Sequence, residues 1–283
     1  MRKVLSLLPA SLLLFAFAAG CSSPGGNGGF DNGRTVALFT REEGSGTRGA
    51  FVELTGINED MSAEASVAGE TNEILTKVEE NTYAISYVSL GSLSDGVKAI
   101  SIDGVTPTTA TIKDGSFKIQ RPFIVCVNPE KAANELVADF ISFLLSAEGQ
   151  EVSGSSWIKV DESAPAYAAS GLSGTLKVGG STSVEPCMVE MVKVYNTFNP
   201  DVNIEISGGG SGTGISEAKD GVVDIGMSSR ELTADETASL TPTVIANDGV
   251  AVIVNKENPI ENLTMEQVKD LFTGALTKWS DVG

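Results

Sequence analysis

Leu176-Lys177-Val178-Gly179-Gly180-Ser181-Thr182-Ser183-Val184-Glu185-Pro186 is the stretch from which the fold is read. Leu176–Gly179 reads as a strand, small and hydroxyl residues follow, and Pro186 suits the first turn of a helix, where a missing N–H costs nothing. Val189, Val192 and Tyr195 continue that helix, and Asn199-Pro200 stops it. The pattern then repeats. Val202–Ile206 alternates as a strand, Gly208-Gly209-Gly210-Ser211-Gly212-Thr213-Gly214 follows, and a short helix is expected near Ile215–Lys219. Val222–Met227 reads as the next strand, ending in Ser228-Ser229-Arg230-Glu231, and Val244–Val254 as a long buried one. Thr264 with Gln267 forms a capping box for a helix reaching about Phe272. Strand, Gly/Ser loop, helix, strand is βαβ grammar; it predicts an α/β fold on a mostly parallel sheet.

Upstream, Val36–Phe39 reads as a buried strand before Thr40-Arg41-Glu42-Glu43-Gly44-Ser45-Gly46-Thr47. A helix over Arg48–Leu54 should follow, with Phe51 and Leu54 facing inward. Asn72–Glu80 has helical spacing (Ile74, Leu75, Val78), and Tyr83–Val88 is rich in β-formers. Pro122 is expected to precede a strand over Phe123–Asn128. Asn134–Val152 reads as one long amphipathic helix with Leu136, Val137, Phe140, Ile141, Leu144 and Leu145 as its stripe. Two blocks result, 35–160 and 175–283. Between them 161–174 is rich in Ala, Ser, Pro and Gly, a linker signature.

The first 20 residues carry Arg2 and Lys3, an apolar run Val4–Ala19 broken by Pro9, and small residues before Cys21. That is an export signal, too short for a comfortable membrane span. Cys21 followed by Ser22-Ser23-Pro24-Gly25-Gly26 resembles a bacterial lipoprotein lipobox, although Ala18 stands where leucine is commoner. Lipidation at Cys21 and a flexible tether over 21–34 are expected, giving an extracytoplasmic protein anchored to the membrane.

The chain has 283 residues, of which 41% are apolar and 20% charged, ample for packed cores. Its formal charge of −18 disfavours nucleic acid as a partner. Histidine is absent, which removes Ser-His-Asp and Cys-His pairs, histidine bases and histidine metal sites together. Cys126 reads as a buried strand thiol and Cys187 as a first-turn helix residue; no spacing suggests a disulfide, metal site or other cofactor. Gly208–Gly214 lacks the Lys-Ser/Thr of a Walker loop, and no Gly-x-Ser-x-Gly occurs. No catalytic residue is assigned, and the chain is not read as an enzyme.

Chemistry concentrates in three loops: Gly44–Thr47, Gly180–Ser183 and Gly208–Gly214. Each is expected to leave a strand and enter a helix, whose first N–H groups lack partners and sit at the positive end of the dipole. Glycine permits close approach and hydroxyls add neutral donors, so converging loops would cage a small oxyanion. About eight hydrogen bonds to a charged group, at roughly 1.5–3 kcal/mol each, outweigh desolvation. Distant carboxylates act across a Debye length of about 8 Å and lose to them. Arg41 is a bidentate clamp for a tetrahedral anion. Glu42 or Glu43 could accept a ligand proton, favouring phosphate over sulfate.

Gly180–Pro186, Ser207–Gly214, Asp224–Glu231, Thr40–Arg48, Ala84–Gly91 and Asn262–Gly274 closely resemble the phosphate-binding lipoprotein of the bacterial phosphate ABC transporter. The resemblance covers almost the whole mature chain. It implies a two-lobed periplasmic-binding-protein fold (type II) with two crossover strands, phosphate between the lobes, and two permease subunits as transient partners. By motif position the phosphate contacts fall on Ser183, Val184, Ser211, Ser229, Arg41, Ser45, Gly46 and Thr47. Some members have aspartate where Ser229 stands, and Glu43 is the candidate proton acceptor here. In the family the motifs over Gly180–Glu231 come first and those over Thr40–Arg48 later. Here the order is reversed, which implies a circular permutation with 161–174 joining the old termini. Asn32 and Gly283 should then lie close together, and Arg41 should meet Ser183 and Ser211. Fusion of parts of tandem genes, with poor folding or swapped halves, is the competing explanation. Other functional readings are a binder of sulfate or molybdate, a secreted phosphoryl-handling enzyme, and a surface or signalling protein that lost binding.

Overall fold

The computed structural model describes residues 29–57 and 60–282. The export signal, Cys21 and most of the tether lie outside the described residues. The strands are β1 (Ala37–Arg41), β2 (Ser66–Ala68), β3 (Ala84–Ser89), β4 (Val97–Ala99), β5 (Ser101–Ile102), β6 (Gln120–Val127), β7 (Gly174–Gly180), β8 (Val202–Gly208), β9 (Ile225–Ser228), β10 (Thr241–Asn255) and β11 (Asn262–Leu263). The helices are α1 (Gly46–Thr55), α2 (Thr71–Glu79), α3 (Thr109–Lys113), α4 (Pro129–Ala132), α5 (Glu135–Leu144), α6 (Ala147–Ser156), α7 (Glu185–Phe198), α8 (Ser211–Lys219), α9 (Ala234–Thr237) and α10 (Met265–Thr273).

Nine strands form one curled mixed sheet in the order β2-β1-β3-β10-β6-β9-β7-β8, with β4 also on β10; β11 and β5 make a small parallel pair. The wings β2-β1-β3 and β9-β7-β8 are parallel, as the βαβ pattern predicts. The centre is antiparallel, because β10 opposes both β3 and β6. Each wing has its own core. Lobe 1 packs Leu176, Val178, Met188, Tyr195, Phe140 and Ile225; lobe 2 packs Phe51, Ile85, Tyr87, Val252, Phe272 and Trp279.

Two strands pass between the cores. On β10, Ile245 and Ala246 belong to lobe 1 and Val250 to lobe 2; around β6, Ile119 belongs to lobe 2 and Phe123 to lobe 1. Ile158 adds a third crossing that the sequence did not predict. It packs in the lobe 2 core and exchanges both backbone hydrogen bonds with Asn247, at 2.9 and 3.0 Å.

Several element boundaries differ from expectation for identifiable reasons. The single helix expected over Asn134–Val152 is two, α5 and α6, because Ser146 caps the second by accepting from Gly149 N at 3.3 Å. Helix α1 begins at Gly46 rather than Arg48, and its buried face runs through Thr47, Ala50, Phe51 and Thr55. That phase leaves Leu54 39% exposed, so Leu54 is not a core residue. Pro122 lies inside β6 rather than before it. It is tolerated because the facing Asn247 is already satisfied by Ile158, and β6 pairs with β9 only from Ile124 onward. Val222 is 60% exposed; the chain turns through Gly221 (φ 72°), and β9 starts at Ile225.

Residues 161–173 carry no helix or strand, yet they are pinned. Tyr167 donates to Asp139 Oδ2 at 2.7 Å, accepts from Asn199 Nδ2 at 2.8 Å, and sets its ring edge-on to Phe143 at 5.2 Å. On the lobe 2 side Ser280 N donates to Asn32 O at 2.7 Å, and Val36 N to Thr277 O at 2.9 Å. Cys126 and Cys187 are both buried, free thiols, in β6 and the first turn of α7.

Candidate functional site

The three Gly/Ser/Thr loops meet across the cleft. From lobe 2, β1 ends in Arg41 and α1 starts at Gly46 with Ser45 as its N-cap, accepting from Arg48 N at 3.3 Å. From lobe 1 come the turn between β7 and α7, the glycine run before α8, and the Ser228-Ser229 exit of β9. Glycine is required where these turns touch. Gly180 has φ 135°, and a Cβ there would fall 2.4 Å from Met227 O; one on Gly214 would fall 2.5 Å from Gly179 O.

Hydroxyls join the lobes directly. Thr47 Oγ1 and Ser183 Oγ are 2.7 Å apart, Thr71 Oγ1 and Thr182 Oγ1 3.1 Å, and Gly212 N donates to Gly44 O at 2.9 Å. Within lobe 1, Ser181 Oγ donates to Ser229 Oγ at 2.9 Å, and Ser229 N donates to Ser211 Oγ at 3.1 Å. Arg41 is 2% exposed. Its Nη2 donates to Thr182 Oγ1 at 3.1 Å across the cleft, and Nη1 donates to Thr71 Oγ1 at 3.1 Å. Glu42 grips the same guanidinium bidentately, at 2.9 Å to both Nε and Nη2.

Of the residues predicted for the site, Arg41, Ser45, Gly46, Thr47, Ser183, Val184, Ser211 and Ser229 are all buried in this one place. Glu43 is not brought in: it is exposed, and the carboxylate on Arg41 belongs to Glu42. Four more groups stand here that sequence reasoning missed. Thr71 and Thr182 flank Arg41. Tyr87, whose hydroxyl is 2.7 Å from Thr40 Oγ1, stacks on Phe51 at 3.9 Å, and burial pushes its phenol up. Arg121 donates to the Ser229 carbonyl at 3.2 Å. Thr182 lay inside a loop already singled out. The others are single polar residues in apolar strands or at a helix start, with no local motif.

A groove of about 860 Å³ opens beside these groups, floored by Thr71 and Thr182. Glu70 of lobe 2 and Glu185 of lobe 1 both line it, and burial, then the charge of Glu70, raises the Glu185 carboxyl. Among the described residues no cluster of three metal-ligating side chains occurs, and no helix is long and apolar enough to cross a membrane.

The arrangement is that of a ligand-binding protein: two lobes on shared strands, with dipoles and one guanidinium converging between them. Comparison with known proteins agrees. Residues 27–148 and 165–283 match the PBP superfamily domain. A phosphate-binding protein, PstS 2, of Streptococcus agalactiae is 44% identical over 99% of this chain and 98% of its own. The crystal structure of a phosphate-binding protein of a phosphate ABC transporter from Streptococcus pneumoniae TIGR4 is 40% identical, with TM-score 0.70 over 88% of this chain and 100% of that one. The phosphate-binding protein PstS of Bacillus subtilis is 31% identical over 114 residues, 39% of this chain and 38% of its own. The chain belongs to the PBP superfamily and, within it, to the family of these PstS phosphate-binding proteins.

Proposed function

We propose that this protein binds inorganic phosphate between its lobes and delivers it to an ABC permease. The observation that carries the reading is the contact of Arg41 and Thr47 from one lobe with Thr182 and Ser183 from the other, buried among helix N-termini. The full-length similarity to phosphate-binding relatives supports it. Ser183, Ser211, Ser229, Ser45 and Thr47 supply hydroxyls, Val184 and Gly46 backbone N–H groups, and Arg41 the positive charge. Hydroxyl oxygens accept as well as donate, so the site has acceptors for a protonated phosphate that backbone amides alone would lack. The protein has no catalytic role in this reading. It works outside the cytoplasm, held to the membrane by lipid on Cys21, with the permease subunits as its protein partners.

The halves stand in permuted order relative to the family pattern described above, an order shared with PstS 2 of Streptococcus agalactiae, which aligns end to end. Adjacent Asn32 and Ser280, and a pinned connection at 161–173, support this. So does the short match to the Bacillus subtilis relative, since a collinear comparison recovers one half when order differs.

Calorimetric titration against phosphate, sulfate and molybdate tests the function. Micromolar or tighter phosphate binding is expected, with sulfate weaker. Arg41→Ala and Ser211→Ala should each weaken it by roughly 1.5–3 kcal/mol, the scale of a charged hydrogen bond. Tighter binding of sulfate than phosphate would overturn the assignment.

A further inference from the structure

Arg121 and Asp248 occupy a position in the hinge that the loops of the site do not explain. They face each other in register on β6 and β10, where both strands pass from one core to the other. Arg121 is 4% exposed and Asp248 1%. Arg121 Nε and Nη2 donate to Asp248 Oδ2 at 3.2 and 3.1 Å, and Ser89 of lobe 2 donates to Oδ1 at 2.8 Å. The remaining arm, Nη1, donates to the carbonyl of Ser229 in lobe 1 at 3.2 Å. Ser229 is the residue whose N–H and hydroxyl meet Ser211 and Ser181.

A pair buried this completely seldom adds net stability over an apolar pair of the same size. It does, however, fix geometry: a planar guanidinium that gives two N–H groups to one carboxylate oxygen leaves its third arm aimed in one direction. That arm carries Ser229.

Resting on the reading of the cleft as a phosphate site, we propose that Arg121 is a positioning residue for it. Anchored to the hinge by Asp248 and Ser89, it holds the Ser229 turn in the geometry that serves the ligand.

The test combines phosphate titration with thermal melting of the unliganded protein for the parent, Arg121→Met, Arg121→Lys, Asp248→Asn and the double variant Arg121→Met/Asp248→Asn. Arg121→Met strands the Asp248 charge and should lower both stability and affinity, the latter about ten- to a hundredfold. Arg121→Lys keeps the charge but not the fork; it should fold and still bind more weakly. Asp248→Asn should melt lower while retaining most of the affinity, because Arg121 still reaches Ser229. In the double variant the stranded charge is gone, so stability should recover while affinity stays low. Affinity that tracks stability across the series would make the pair structural only and overturn the proposal. So would parent-like binding by Arg121→Lys. A parent protein that binds no phosphate would instead defeat the functional reading, and this inference with it.

Discussion

Gly46 stands where a side chain would force the lobes apart. A Cβ there would lie 2.3 Å from Ser211 Oγ and 2.7 Å from Ser229 Oγ, both on the opposite lobe. Overpacking of this kind costs about 1–3 kcal/mol. In Gly46→Ala the clash is relieved by opening rather than unfolding. Phosphate affinity should fall roughly ten- to a hundredfold by titration, with the unliganded melting point nearly unchanged. Gly214→Ala makes the contrast, since its clash with Gly179 O is internal to lobe 1 and should lower stability instead. At this scale the sequence was informative wherever ligand chemistry is local. Ser45, Thr47, Ser183 and Ser211 sit in runs of Gly, Ser and Thr that no core strand would choose, and Arg41 ends a strand just before the first of them. Asp248 and Arg121 were illegible for the opposite reason, because each is a lone charge in an apolar strand whose partner is 127 residues away.

Among the elements, those whose ends carry their own capping chemistry came out near expectation. Helix α10 follows Thr264 with the full reciprocal box to Gln267. The single helix expected over Asn134–Val152 breaks at Ser146, where the apolar stripe has ended and the bond from Gly149 N starts a second helix that buries Gly149, Gln150 and Ser153 instead. Helix α9 shows what such an end contributes. Glu236 closes a box with Thr233 and takes both Arg230 Nη atoms at 2.8 Å. Arg230 holds the Glu236 carboxyl down at about 2, from an ordinary 4.5. A depressed folded-state pKa stabilises fully above about pH 4.5, and that contribution fades as pH falls toward about 2. Glu236→Gln should therefore cost about 1 kcal/mol at neutral pH by denaturant unfolding, with the difference shrinking steadily in acid. A difference independent of pH would mean the cap, rather than the charge, carries the effect.

For the whole molecule, chain order and spatial order are separate matters. The motifs of the cleft come from residues 41–47 and 181–229, yet they meet as if adjacent. The two crossover strands were implied by the family resemblance; what the residues alone could not supply was the third crossing at Ile158 and the Arg121–Asp248 pair beside it. A chain reopened between Ser163 and Ala164, with a short Gly/Ser bridge from Asp281 to Asn32, should fold as a monomer and bind phosphate within a few-fold of the parent. Scattering and titration would check this; aggregation, or exchange of halves between chains, would count against the permuted reading. The 15-residue strand β10 carries one further implication. Two separate interiors would ordinarily melt as two events, but here neither can lose its edge without stripping the other of a neighbour. Scanning calorimetry should show a single endotherm whose van't Hoff and measured enthalpies agree, so that heat treats the two jaws as one piece despite their separate interiors.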